Sequence, residues 1–117
     1  MIHVLDKGFV RIADFMGSDL SVVNAARVSY GKESQELNDR DESLIEYLYR
    51  EGHNSPFGHA TVSFHIKAPI FVMRQWMKHV VGCRWNEKSG RYVVFEAEFY
   101  RPDVFRKQSK KNKQGSQ

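Results

Sequence analysis

Two stretches alternate apolar and polar residues with the two-residue period of a strand. Over residues 61–68, Val62, Phe64, Ile66 and Ala68 fall on one face and Thr61, Ser63, His65 and Lys67 on the other, which predicts a half-buried strand. Over 93–100, Val93, Phe95, Ala97 and Phe99 alternate with Val94, Glu96 and Glu98, and Pro102 closes a second half-buried strand. Residues 2–5 and 9–15 predict two shorter strands joined by a turn at Asp6-Lys7-Gly8. Elsewhere the apolar spacing is helical. Ser18 is a plausible N-cap for a helix carrying Leu20, Val23 and Ala26-Arg27 towards Val28-Ser29-Tyr30. Residues 31–39 are polar and read as a loop. A second helix over 39–51 turns Leu44, Ile45 and Leu48 inward, keeps an acidic outer face and has Gly52 as its C′ residue.

The third helix opens at Pro69, since proline is favoured at the first helical position. It carries Ile70, Met73 and Met77 at helical spacing, sets Arg74 and Lys78 four apart on one face, and should stop at Gly82. The sum is an α/β chain of the α+β type, with helices packed on a mostly antiparallel sheet and no internal repeat. Residues 1–105 make one domain part. Residues 106–117 contain no apolar side chain, so they form a basic polar tail expected to be disordered.

Composition narrows this picture. The 117 residues are 41% hydrophobic and 13% aromatic, enough for one small domain with a core. The net charge of +4 is uneven. From Arg101 onward six Lys/Arg face one Asp, a local +5, whereas the preceding residues carry twelve against thirteen acids, a local −1. The basic character therefore belongs to the tail, where contact with nucleic-acid phosphates competes with simple solubilisation. The single cysteine, Cys83, excludes an intrachain disulfide and a cysteine-based zinc site. No run reaches membrane-spanning length, and the N-terminus lacks a signal peptide's basic start. The expectation is a cytoplasmic protein without a membrane partner.

The candidate chemistry gathers after the third helix. Arg74, Lys78 and His79 lead into Asn86-Glu87-Lys88-Ser89-Gly90-Arg91. Arginine offers a fork of donors suited to phosphate or a pyrimidine carbonyl, serine donates, and glutamate accepts from a sugar hydroxyl. Together they point to an anionic, hydroxylated ligand, against the plain alternative of a solvated helix end and a turn. Trp76 and Trp85 could stack on a flat ring or belong to the core. Cys83, with Lys78 and Arg84 near it in sequence, is a candidate nucleophile, though a lone cysteine between glycine and arginine is more often incidental. His53 and His59 share one turn, yet no carboxylate or cysteine stands at ligand spacing, so no metal site is expected.

Asn86-Glu87-Lys88-Ser89-Gly90-Arg91-Tyr92 resembles the second half of the signature R-H-R-x-x-S-x-N-E-x-S-x-R-Y of the flavin-dependent thymidylate synthases. Further blocks resemble that family in the same order: Asp6 to Val10, Ala25 to Ser29, Leu44 to Leu48, Gly52 to Phe57, and Lys67 to Val72 with Arg74-Gln75-Trp76. The resemblance implies conversion of dUMP to dTMP, with carbon from methylenetetrahydrofolate, hydride from reduced FAD and NADPH reducing the flavin. It also implies a homotetramer with shared sites and no need for a cysteine nucleophile. By resemblance His53, Ser55, Lys78, His79, Val80 and Glu87 face FAD. Gln75, Trp76, Met77, Lys78, Glu87, Lys88, Ser89, Gly90 and Arg91 hold dUMP, and no catalytic residue is assigned.

Two departures accompany the likeness. The signature's first arginine is Lys78 and its second is Val80, and Asn86-Glu87 arrive one residue late, which sets Arg84 in place of the signature's first serine. Family members also run to roughly twice this length, so a separate C-terminal half is a further candidate partner. The alternatives are a noncatalytic nucleotide-binding remnant of the fold and a small basic nucleic-acid binder.

Overall fold

A computed structural model describes residues 1–116; Gln117, the last residue of the tail, lies outside the described residues. Strand β1 (Ile2–Val4) turns at residues 5–7 into β2 (Gly8–Met16), and β3 (Thr61–Lys67) pairs on the other side of β2. The sheet is antiparallel throughout, in the order β1-β2-β3. Between β2 and β3 the register slips between Ile12 and Asp14. Ala13 is thus an extra residue on β2, and a bulge of this kind reverses the alternation beyond it. Ile12 faces Phe64 and Phe15 faces Val62, so Phe15 joins the apolar face that strict alternation would deny it.

Helix α1 (Asp19–Arg27) starts at the predicted N-cap Ser18, whose backbone N–H donates to Ser21 Oγ at 3.0 Å. It tightens into a 3-10 turn over Val28–Tyr30 and ends at Gly31, which is left-handed (φ 62°). Helix α2 (Asp39–Arg50) is capped at both ends. Asn38 Oδ1 accepts from the backbone N–H groups of Arg40 and Asp41, and Asp41 Oδ2 accepts from Asn38 N–H at 3.2 Å, a capping box. At the other end His53 N–H reaches Leu48 O (2.9 Å) and Gly52 N–H reaches Tyr49 O (3.2 Å). These are the paired bonds of a Schellman motif with glycine at C′. A 3-10 turn over Ser55–His59 leads into β3.

The buried core is small and lies among the helices: Val22, Val23 and Leu48, with Pro56 of the 3-10 turn. Helix α1 packs on that turn and on α2. Among the described residues no helix makes extended contact with either face of the sheet. The half-buried strand expected over 61–68 therefore exists as β3, but only Ile66 along it is half-buried. The radius of gyration is 20.0 Å, against roughly 13 Å for a compact domain of about this length.

Two expected elements differ. The third helix, α3 (Ile70–Trp76), ends six residues before Gly82. Its last turn tightens, Lys78 N–H bonding Gln75 O and His79 N–H bonding Trp76 O, because the β-branched pair Val80-Val81 finds no packing surface that would repay a further turn. Residues 93–100 form no strand. Alternation becomes a strand only when a neighbouring backbone supplies the ladder, and the outer edge of β3 is unpaired among the described residues. The segment is held instead by side chains. Lys67 forms an ion pair with Glu98, and Lys7 Nζ donates to Phe99 O at 3.3 Å. Beyond residue 105 the described tail holds one isolated bridge, Gln108 to Ser116, and no helix or strand.

The hydrogen bond from Lys67, with the charges of Lys67 and Lys7, holds the Glu98 carboxyl below the ordinary glutamate range, burial opposing. A depressed carboxyl stabilises the fold above its unfolded value and loses that contribution as pH falls through the folded value. An NMR titration of the Glu98 carboxyl carbon should show a midpoint below 4.5. In Lys67→Met the midpoint should rise towards that value; an unchanged midpoint would remove Lys67 as the cause.

Candidate nucleotide site

The residues singled out by sequence fall into two groups. The first surrounds the end of α3. Gln75 and Trp76 close the helix, and Met77, Lys78 and His79 follow in its tightened turn. Cys83 N–H bonds Val80 O at 3.2 Å, and Gly82 between them has φ 69°. A left-handed third position is what a type II turn demands, and glycine supplies it without steric cost. Trp85 then folds back, its indole N–H donating to His79 O at 3.2 Å and its ring standing edge-on to Trp76 at 5.7 Å. The loop 79–85, one residue longer than the signature, is thus closed by Trp85. Both tryptophans pack on each other, so neither offers a free stacking face to the other's side. Val80 is exposed, and among the described residues Arg84 donates only to its neighbour's carbonyl, Cys83 O, at 2.8 Å.

Residues 86–91 continue as a polar turn. Ser89 anchors it: its Oγ accepts from Arg91 N–H (3.2 Å) and its carbonyl from Tyr92 and Val93 N–H (3.1 and 3.2 Å). The Arg91 guanidinium lies 5.4 Å from the Tyr92 ring centre and Lys88 Nζ lies 5.4 Å from that of Phe95. Gly90 runs against the Phe95 ring, which a Cβ there would meet at 3.1 Å. Glu87 is exposed and makes no ion pair among the described residues. Lys78, Lys88 and Arg91 are likewise exposed.

The second group stands at the end of α2. His53 follows Gly52, with its ring 6.1 Å from that of Tyr47, and Ser55 opens the 3-10 turn. Among the described residues no hydrogen bond or ring contact joins His53 or Ser55 to residues 74–91. The two groups are thus not joined by any such contact among the described residues.

Sequence reasoning missed the most constrained polar cluster. Asp41 is fully buried; its Oδ1 accepts from Arg27 Nη2, and Arg27 Nη1 donates to Ser34 Oγ. Asn24 clamps Ser34 from the other side, Nδ2 donating to Ser34 O at 2.9 Å and Oδ1 accepting from Ser34 N–H at 2.8 Å. These bonds pin the loop after Gly31 against both helices. The same loop, with Ser21, Asn24, Val28 and His59, lines an open cleft that contains none of the predicted ligand residues. The capping-box spacing of Asn38 and Asp41 was a readable signal; the partnership with Arg27, fourteen residues away, was not.

The sequence profile of the thymidylate synthase complementing protein family (Thy1) matches residues 11–116. The chain belongs to this family. It is 53% identical over 116 residues to a flavin-dependent thymidylate synthase of Thermus thermophilus, a match covering 99% of this chain and 42% of the relative. A relative of the same name from Pseudothermotoga lettingae is 53% identical over 106 residues, covering 91% and 47%. The fold is similar to a UMP/dUMP methylase from Streptomyces cacaoi bound with 5-Br dUMP, with TM-score 0.74, 41% identity, and coverage of 87% of this chain and 44% of that one. The same methylase bound with 5-Br UMP gives TM-score 0.73 at 38% identity. The chain therefore spans less than half the length of these relatives.

Proposed function

We propose that this chain is the nucleotide-binding portion of a flavin-dependent thymidylate synthase acting in dTMP biosynthesis in the cytoplasm. The reaction converts dUMP to dTMP with methylenetetrahydrofolate as carbon donor and NADPH as reductant. What carries the reading is the Thermus relative, 53% identical across 99% of the chain, taken with the polar turn at 86–91. On this reading Lys78, Lys88 and Arg91 meet the phosphate of dUMP, Ser89 and Gly90 shape the backbone around it, and Gln75, Trp76 and Met77 border the base. Glu87, His53, Ser55, His79 and Val80 face FAD.

Among the described residues no hydrogen bond or ring contact joins the two groups, so a cradle for the flavin would need a further surface. A homotetramer, in which the two groups of different subunits meet, would close the site. The lack of a joining contact also favours a second reading, a noncatalytic protein of this fold that binds nucleotide without turnover.

Titrating the chain with FAD, with and without dUMP, separates these outcomes by flavin absorbance and fluorescence. Binding strengthened by dUMP and weakened at least tenfold in Arg91→Ala is expected, about 1.4 kcal/mol for a charge-assisted contact. Binding without dTMP formation when methylenetetrahydrofolate and NADPH are added would select the noncatalytic reading. Failure of FAD to respond with dUMP present would remove the synthase reading for this chain by itself and leave the noncatalytic one.

A further inference from the structure

Between Arg106 and Ser116 the chain carries five cations, Arg106, Lys107, Lys110, Lys111 and Lys113, and no acidic residue. A block of like charge repels itself and tends to stay extended. Here it folds back. Gln108 and Ser116 form an antiparallel bridge, and Ser109 N–H donates to Gly115 O at 2.9 Å. Gln108 Nε2 donates to Lys113 O at 2.7 Å, and Arg106 Nη2 donates to Ser116 O at 3.1 Å. At the tip Asn112 N–H donates to Ser109 Oγ at 3.3 Å, and Asn112 Oδ1 accepts from Gln114 N–H at 3.0 Å. The uncharged polar side chains thus hold the turn and leave the charges outside it. All five cations are exposed, and among the described residues none is paired with a carboxylate. Phe105, immediately before the turn, is 90% exposed.

We propose that the turn over 106–116 is a binding surface for single-stranded nucleic acid, its cations meeting phosphates and Phe105 stacking on a base. Clustered, unpaired cations are the footprint of a polyphosphate chain, because each phosphate they neutralise releases a condensed counterion. A mononucleotide has too few phosphates to match five cations. The exposed ring beside them selects the single strand, whose bases offer a free face, whereas in a duplex both faces are taken by neighbouring bases. An anionic membrane would attract the same charge, but the turn holds no apolar side chain to enter it. The proposal does not depend on the nucleotide site at 74–91 or on flavin binding.

Fluorescence anisotropy of a labelled oligothymidylate, titrated with the full chain at several salt concentrations, tests it. Five phosphate contacts give a slope of log K against log salt of about −3.5, so affinity should fall roughly a hundredfold between about 50 and 200 mM salt. Replacing three of the cations together (Lys110→Gln, Lys111→Gln, Lys113→Gln) should flatten the slope by about 2 and weaken binding at least tenfold at low salt. Phe105→Ala should weaken binding about tenfold and leave the slope unchanged, since stacking is not an ionic contact. The control (Lys32→Gln, Arg40→Gln, Arg50→Gln) removes the same charge from exposed positions elsewhere and should keep both the slope and most of the affinity. Every substituted side chain is exposed, so none of these variants should unfold the chain. Equal losses in the two triple variants overturn the proposal, because net charge alone would then explain the binding. So does equal affinity for a duplex of the same length, or binding to phosphatidylserine vesicles with no response to the oligothymidylate.

Discussion

Replacing Asp41 by alanine should cost about 2–4 kcal/mol of folding stability, from the loss of a charge-assisted hydrogen bond and of the capping box. Asp41 is fully buried and holds three elements at once: Arg27 at the end of α1, the Ser34 loop through Arg27, and its own helix through the Asn38 N–H. Alanine leaves the guanidinium facing a buried position without its counter-charge and opens the capping box. Against a total stability of roughly 5–15 kcal/mol for an ordinary domain, the loss is a large share. Urea unfolding followed by circular dichroism at 222 nm should show a much lower midpoint for Asp41→Ala. Glu46→Ala, on the exposed side of the same helix, should stay within about 0.5 kcal/mol of the parent. Equal midpoints for the two variants would refute the structural role assigned to Asp41.

Gly17→Ala should be comparably damaging, and its comparison with Gly31→Ala separates two causes. Both glycines are left-handed, with φ 82° and 62°. A Cβ at position 31 meets nothing within 4 Å, whereas at position 17 it would lie 2.6 Å from His59 O and 3.0 Å from Ala60 Cα. The backbone strain alone costs roughly 1–2 kcal/mol, which is the whole effect expected at Gly31. At Gly17 the overpacking adds about 1–3 kcal/mol, because neither contact is a flexible side chain that can move aside. This close approach joins the sheet to the helices, where β2 hands over to α1 beside the start of β3. The predicted order, parent above Gly31→Ala above Gly17→Ala, can be read from thermal midpoints. Coincident midpoints for the two variants would show that the approach at Gly17 is not close in solution.

Where the decisive interactions are local, the sequence was sufficient. Ser18 marked the start of α1 and Gly52 the end of α2, since caps are settled within one or two turns. Alternation over 61–68 placed β3 to within a residue, and the motif at 86–92 with the ordered blocks pointed to the family that the profile and relatives then showed. Features needing a distant partner were illegible or misread. Residues 93–100 have a strand's alternation but no ladder, and the residues after Trp76 have a helix's spacing but no surface to pack on. The bulge at Ala13, the Arg27–Asp41 pair and the Trp85 closure of the 79–85 loop each join residues brought close by the fold or by a turn that spacing does not announce.

The sequence by itself thus determined the α+β class, the start of α1, the end of α2, the alternation of β3 and the family, because each is written in short-range spacing or in residue identity. Only the tertiary structure decided which faces are covered. It put the core among α1, α2 and the 3-10 turn and left the apolar side of the sheet open. Burial depends on what lies opposite a side chain, and periodicity names the face without naming the neighbour.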